Sequence, residues 1–165
     1  MKRIKLTQGQ FALVDNEDFE NINQYKWCAQ YSKDTKSFYA LRGGKSSGGK
    51  QKKIYMHRFI IKAYKGMIVD HIDHDTLNNQ KGNLRIVTKS QNAMNKRKLS
   101  NNTSGATGVI WCKRDRKWTA RIGIGNQRIN LGFFDDRNQA IQARKQAEEK
   151  YHGEYSYEQS ILSNQ

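Results

Sequence analysis

The sequence predicts an α+β protein built in three parts, and three patterns carry that prediction. Short runs of alternating apolar and polar residues recur near both ends, the period of half-buried strands. Between them, Val69 to Asn95 sets two short apolar runs around a polar loop rich in Asp, His and Asn. Finally, the residues after Asp136 have helical spacing and directly follow three strand-like runs. The expected order is a small β-rich N-terminal region, a strand-loop-strand-helix core, and a three-stranded antiparallel sheet packed on one helix.

The 165 residues suffice for one ordinary domain or two small ones. They carry 30 Lys and Arg against 15 Asp and Glu, a formal net charge of +15. Such an excess suits an anionic partner, nucleic acid ahead of an anionic membrane. A basic surface that serves only solubility is the plainer alternative. No apolar run approaches the ~18 residues of a membrane-spanning helix. The start, MKRIKLTQGQFALV, lacks a continuous apolar stretch of signal-peptide length. These features predict a cytoplasmic protein without a membrane partner. Cys28 and Cys112 are far apart and form no CxxC pair, so no structural zinc is expected. Free thiols in a reducing compartment account for them.

Residues 1 to 56 read as β-rich. Gln10 to Val14 is a strand candidate, Asp15 to Asp18 a turn, and Phe19 to Tyr25 a short helix. Trp27, Ala29 and Tyr31 alternate with polar neighbours, as do Phe38 and Ala40, which predicts a hairpin. Gly43 to Lys50 has the composition of a flexible basic loop, and its spacing is not that of a nucleotide-binding loop. Met56, Phe59, Ile60 and Ala63 have helical spacing, with Gly66 placed to end a helix over 56–66.

The chemistry concentrates in the next stretch. Asp70 and His71 follow an apolar approach, Met67-Ile68-Val69. A polar loop runs from His74 to Gly82, and Leu84 to Val87 forms the second strand. Thr88 and Gln91 have capping-box spacing, which starts a helix that carries Asn92 one turn in. An Asp carboxylate and an Asn carbonyl oxygen suit a hard divalent cation while leaving room for water and phosphate. A neutral His beside them can take a proton from water. That set can perform metal-assisted phosphodiester hydrolysis. The same residue types are also common in loops, because they tolerate turns and cap helices.

The stretch resembles the HNH endonuclease core, the ββα-metal nuclease motif, and within it the phage and intron homing-endonuclease branch. The matching residues are Val69-Asp70-His71, Asn78-Asn79, Asn83-Leu84-Arg85, Val87-Thr88 and Asn92. The resemblance implies that His71 is the general base and that Asp70 and Asn92 hold one Mg2+ or Mn2+. It implies that Asn83, counted with His71 in the catalytic set, pins the loop. His74 stands where this branch usually has Gly, and a role in closing the turn is expected of it. The pair His57-Arg58 resembles the segment before the core in the same family. His57 reads as a structural or phosphate-contacting residue and is left outside the catalytic set.

Residues 96–106 lose periodicity and open with Lys96-Arg97-Lys98, the composition of a basic linker that could follow a phosphate backbone. The boundaries implied are 1–95 for the N-terminal region plus core (the core at about 56–95), 96–106 for the linker, 107–155 for the sheet domain and 156–165 for a tail. Three strands are expected at Thr107 to Cys112, Lys117 to Ile124 and Gln127 to Phe134. Strict alternation assigns Val109, Trp111, Trp118, Ala120, Ile122, Ile124, Ile129, Leu131 and Phe133 to one apolar face. Asp136 and Gln139 have capping-box spacing for a helix over Arg137 to Tyr151. Its stripe of Ala140, Ala143, Ala147 and Tyr151 should cover that apolar face. The opposite face presents Lys117, Thr119, Arg121, Arg128 and Asn130. With Arg114 and the cations Lys96, Arg97 and Lys98, these are the DNA-binding candidates.

Residues 105–155 resemble the Apetala-two/ethylene-response-factor DNA-binding domain, which lays a three-stranded sheet in the major groove. The matching residues are Gly108-Val109, Lys117-Trp118, Ala120, Ile122, Leu131-Gly132, Phe134, Ala140, Ala143 and Tyr151 to Tyr155. Ile110 and Cys112 replace arginines of the plant members, and Asn130 replaces a tryptophan, so the plant target sequence does not transfer. The two resemblances together imply a metal-dependent homing-type endonuclease of phage kind. It would bind double-stranded DNA as a monomer and nick one strand. A non-catalytic DNA-binding regulator with a decayed nuclease core is the alternative.

Overall fold

The structure, a computed structural model, describes residues 1–47, 50–95 and 102–156. It is α+β, as expected, and divides into two compact units, Met1–Thr88 and Lys89–Gln165.

In the first unit, β1 (Lys2–Lys5) pairs antiparallel with β2 (Phe11–Val14), and α1 (Asn16–Asn23) follows. Asp15 occupies the N-cap position of α1 but gives no cap hydrogen bond. Its carboxylate instead accepts from the Gln80 side chain (3.0 Å) and the Lys81 backbone N–H (2.7 Å). A second sheet joins β3 (Cys28–Ser32), β4 (Ser37–Ser47) and β5 (Lys50–Tyr55). The predicted hairpin is present. The predicted basic loop at Gly43 to Lys50 is not: β4 continues through Ser47, and β5 begins at Lys50. Its composition concealed a strand because the facing chain satisfies the backbone and leaves little room for side chains. A Cβ on Gly44 would lie 2.9 Å from the Ile54 side chain.

Next come the short helix α2 (Met56–Ile60) and the hairpin of β6 (Ile68–His71) with β7 (Leu84–Val87). α2 stops well before Gly66, contrary to the periodicity. Arg58 donates to the Tyr64 and Met67 carbonyls (2.7 Å each), and Lys62 adopts φ +51°. These contacts favour a turn over further helix. Ile4, Leu6, Ala12, Val14, Ile22, Trp27, Ala29, Met56, Ile60 and Leu84 form one buried core. The β6–β7 hairpin therefore shares its apolar interior with the N-terminal strands.

The second unit begins with α3 (Lys89–Met94). β8 (Val109–Cys112), β9 (Lys117–Ile124) and β10 (Gln127–Phe134) form an antiparallel sheet with β9 central. Helix α4 spans Arg137–Tyr151, and the Asp136 side chain accepts from Gln139 N–H (3.3 Å), the predicted cap. Ala106, Val109, Ala120 and Ala140 make the small core, joined by Trp118, Leu131, Phe134 and Ile141.

Expectations for this unit fail on the sheet and on the helix, and Trp111, assigned to the covered face, is 46% exposed. The register shifts between Asn130 and Gly132, so alternation breaks at Leu131. Gly132, at φ +130°, admits this bulge, and its N–H donates to Asn130 Oδ1 (3.2 Å). Phe134 thus turns inward, while Phe133 joins the open face and remains 44% exposed. On α4, Tyr151 is exposed and Arg144 is buried. Arg144 Nε donates to the Thr107 carbonyl (2.7 Å), and its Nη2 pairs with Glu148 (2.8 Å), so a charge fits inside the stripe. His152 Nε2 donates to the Gly123 carbonyl (3.0 Å) and ties the end of α4 to the sheet.

Candidate active site

Asp70 and His71 are the last two residues of β6, and both are buried. Antiparallel register sets Asp70 opposite Arg85 and His71 opposite Leu84. Arg85 Nε (3.0 Å) and Nη2 (2.9 Å) both reach Asp70 Oδ2. The carboxylate is held by a charge-assisted contact that fixes its direction. The hairpin register alone could have revealed this pair, but the sequence reading gave Arg85 no role.

The loop between the strands is built on asparagines. Asn83 Oδ1 accepts from Asp73 N–H (2.9 Å), and Asn83 Nδ2 donates to the Asn78 carbonyl (2.8 Å). Both ends of that amide are engaged across the loop, so Asn83 clamps it. Asn78 Nδ2 donates to Asp73 Oδ2 (2.7 Å), and Asp75 closes two local turns through its own N–H and its carboxylate. His74 adopts φ +62° and donates its N–H to the His71 carbonyl (3.2 Å). It closes the turn, in the left-handed conformation that Gly accepts more readily.

The N-terminal strands support this loop from outside. Leu13 N–H donates to the Leu77 carbonyl, and Asn79 N–H donates to the Leu13 carbonyl, both at 2.8 Å. Thr76 Oγ1 donates to the Phe38 carbonyl. Asp15 holds residues 80 and 81 as described. Burial disfavours the charged form of Asp15, but the Lys81 N–H and the Gln80 amide outweigh it and hold the carboxyl below its ordinary range.

His71 is packed in rings. His57 lies edge-on to it, and Tyr39 touches both histidines, with centroids at 5.9 Å from His57 and 6.3 Å from His71. Tyr55 lies 5.5 Å from His57. Burial lowers the His71 pKa below the usual imidazole value, against Asp73, Asp70, a hydrogen bond with Asn79, and Asp75, which all favour the charged form. The His71 imidazole is therefore neutral near pH 7. Burial, followed by the charges of His71 and Arg58, pushes His57 down to about 3. The His-Arg pair flagged this segment, but the sequence did not show that His57 would wall the candidate base.

Asn92 lies on α3, in the second unit. Among the described residues, no three His, Cys, Asp or Glu side chains gather as a ready cage for a metal ion. Asp70, in the first unit, offers a carboxylate oxygen, the donor type that a hard divalent cation takes together with water and phosphate.

The DNA-binding candidates divide. Arg128 and Asn130 are exposed on the open sheet face, with Arg121 partly so. Lys117 is on the same face and pairs with Asp135 (3.3 Å), while the exposed Arg114 pairs with Asp115 (2.9 Å). Thr119 is a correction. It has no exposure, and its hydroxyl donates to Asn130 Oδ1 (3.4 Å), so it supports a neighbour rather than reaching a ligand. Lys96, Arg97 and Lys98 lie outside the described residues.

An Asp-His pair thus ends one strand of a hairpin, and an asparagine-clamped loop precedes the second strand. Residues 55–94 match the HNH endonuclease family. A protein of Acanthamoeba polyphaga mimivirus named "Uncharacterized HNH endonuclease L560" is 34% identical over 100 residues, covering 57% of this chain and 48% of its own length. "Protein 3.8" of Escherichia phage T7 is 36% identical over 71 residues, covering 43% of this chain and 59% of its own length. The chain thus spans about half the length of these relatives.

Proposed function

We propose that this protein is a metal-dependent HNH DNA endonuclease of homing type, which nicks one strand of double-stranded DNA as a monomer. The observation that carries this reading is Asp70 and His71 at the end of β6, within the segment that matches the HNH endonuclease family.

His71 accepts a proton from the water that attacks the phosphodiester. Its neutral state at pH 7 suits a base, and the surrounding rings restrict its orientation. The resemblance names Asp70 and Asn92 as the ligands of the cation, Mg2+ or Mn2+. When bound, that ion supplies stabilisation of the charge that develops on the phosphate and the leaving 3′ oxygen. Arg85 keeps the Asp70 carboxylate directed, and Asn83 keeps the loop closed around the pair. The second unit positions the cut by laying its open sheet face, with Arg121, Arg128 and Asn130, in a nearby groove, as its resemblance to the Apetala-two type implies. Among the described residues no helix is long and apolar enough to cross a membrane.

The test is cleavage of supercoiled plasmid carrying the DNA that flanks the gene, with magnesium, manganese or chelator. Open-circle product that requires metal supports the reading, and His71→Ala should abolish it while DNA affinity persists. Salt-sensitive binding without cleavage, on DNA shown to contain the bound site, would instead establish a binding-only protein with a decayed nuclease core.

A further inference from the structure

The bulge in β10 builds a second chemical feature on the open sheet face. Because Leu131 is the extra residue, Asn130 and Phe133 become successive outward side chains of that strand. Asn130 pairs with Arg121 across the ladder, and Phe133 pairs with Thr119. On the far side of Thr119 lies Ile110, 52% exposed. The row Ile110, Thr119, Phe133 is therefore an apolar bar across a face that is otherwise cationic.

Asn130 has a fixed polarity. The Gly132 backbone N–H and the Thr119 hydroxyl both donate to its Oδ1. A backbone N–H can only donate, so the oxygen faces the bulge and the amide NH2 faces outward. An Asn that reads adenine needs both its oxygen and its nitrogen. Asn130 offers donors only.

We infer that Asn130 and Phe133 form a thymine-reading pair in the major groove. This rests on the proposed role of that sheet as the DNA-positioning face. Thymine presents an acceptor, O4, next to an apolar group, the 5-methyl. Asn130 Nδ2 donates to O4, and the methyl packs on Phe133 with Ile110 bounding the bar. Cytosine would set its N4 amino donor against the Asn130 NH2, a repulsive juxtaposition that adds discrimination. Arg121, Arg128 and Lys117 on the same face supply charge complementarity to phosphate.

The test uses the full chain with chelator present, so that no cutting occurs. Duplexes are first enriched from a random pool by gel shift. Each thymine of the enriched site is then replaced by deoxyuridine, which lacks the methyl, or by 5-methylcytosine opposite guanine, which keeps the methyl but replaces O4. At one position, deoxyuridine should weaken binding about fourfold, the value of one buried methyl group. There, 5-methylcytosine should weaken it by roughly tenfold or more. Phe133→Ala should bind thymine and deoxyuridine duplexes equally, and Phe133→Leu should retain part of the difference. If no position responds to deoxyuridine, or if Phe133→Ala responds as the wild type does, the thymine pair is refuted while the DNA-binding face stands. Absence of salt-sensitive binding to any duplex would instead refute the underlying reading. Preferred binding of single-stranded RNA would overturn both, in favour of base stacking on Phe133.

Discussion

His57 and His71 meet edge to face, with ring centroids 5.0 Å apart and planes at 78°. They come from different elements, α2 and β6, and the contact restrains the rotation of the candidate base. His57→Ala should lower kcat about tenfold through loss of orientation, with KM for DNA little changed. His57→Phe, which keeps a flat ring there, should recover most of the loss. Steady-state nicking kinetics decide it: a variant whose KM rises at constant kcat would assign His57 to DNA binding instead.

Burial also makes His57 a source of acid instability. Its folded pKa, about 3, lies below the unfolded value of 6.5. Between those values the unfolded chain binds more protons, so stability is complete above pH 6.5 and falls as pH drops. One such group changes the slope by at most about 1.4 kcal/mol per pH unit. Denaturant midpoints at pH 7.5, 6 and 5 should show a shallower decline for His57→Phe than for the wild type. His71 shifts in the same direction, so some slope should remain.

The rate profile should carry the signature of the base. Because burial lowers the His71 pKa, the acid limb of kcat/KM should fall below the ordinary imidazole value of 6.5. Cleavage measured from pH 5 to 8 at fixed metal concentration tests this. An inflection at or above 6.5 would mean that another group limits the acid side.

His74 should be replaceable at a gain. A non-glycine residue at φ +62° carries a left-handed penalty, which Gly avoids at the cost of greater freedom in the unfolded chain. His74→Gly should be more stable by about 0.5–1 kcal/mol with the nick rate preserved. A loss of activity at unchanged stability would reveal a chemical role for the imidazole.

The parts legible in the sequence were those governed by neighbours in the chain. β9, β10 and α4 fall where alternation, turns and the Asp136 cap placed them, because each signal is local. Phe133 was assigned to the wrong face because a bulge inverts everything beyond it, and Gly132 gave only a weak warning. The strand through Gly43 to Ser47 was hidden because its partner, not its own side chains, stabilises it. In the candidate site, local order singled out Asp70 and His71, and the resemblance added Asn83. Arg85 and Tyr39 emerged only from register and packing. Asp15 was least visible of all, since the sequence places it in a turn while its carboxylate serves residues 80 and 81.

That last contact has a consequence for how the protein is made. Leu13 and Asp15 must find partners more than sixty positions later in the chain before the loop after His71 is secured. Contacts of such long range close late, because loop entropy opposes them until other elements have docked. On a ribosome-bound chain the proposed site would not be assembled until the segment through Lys81 had emerged and folded back on the N-terminal strands. For the same reason, residues 55–94 transplanted alone into another scaffold would carry the matching segment without the brace that keeps its loop shut.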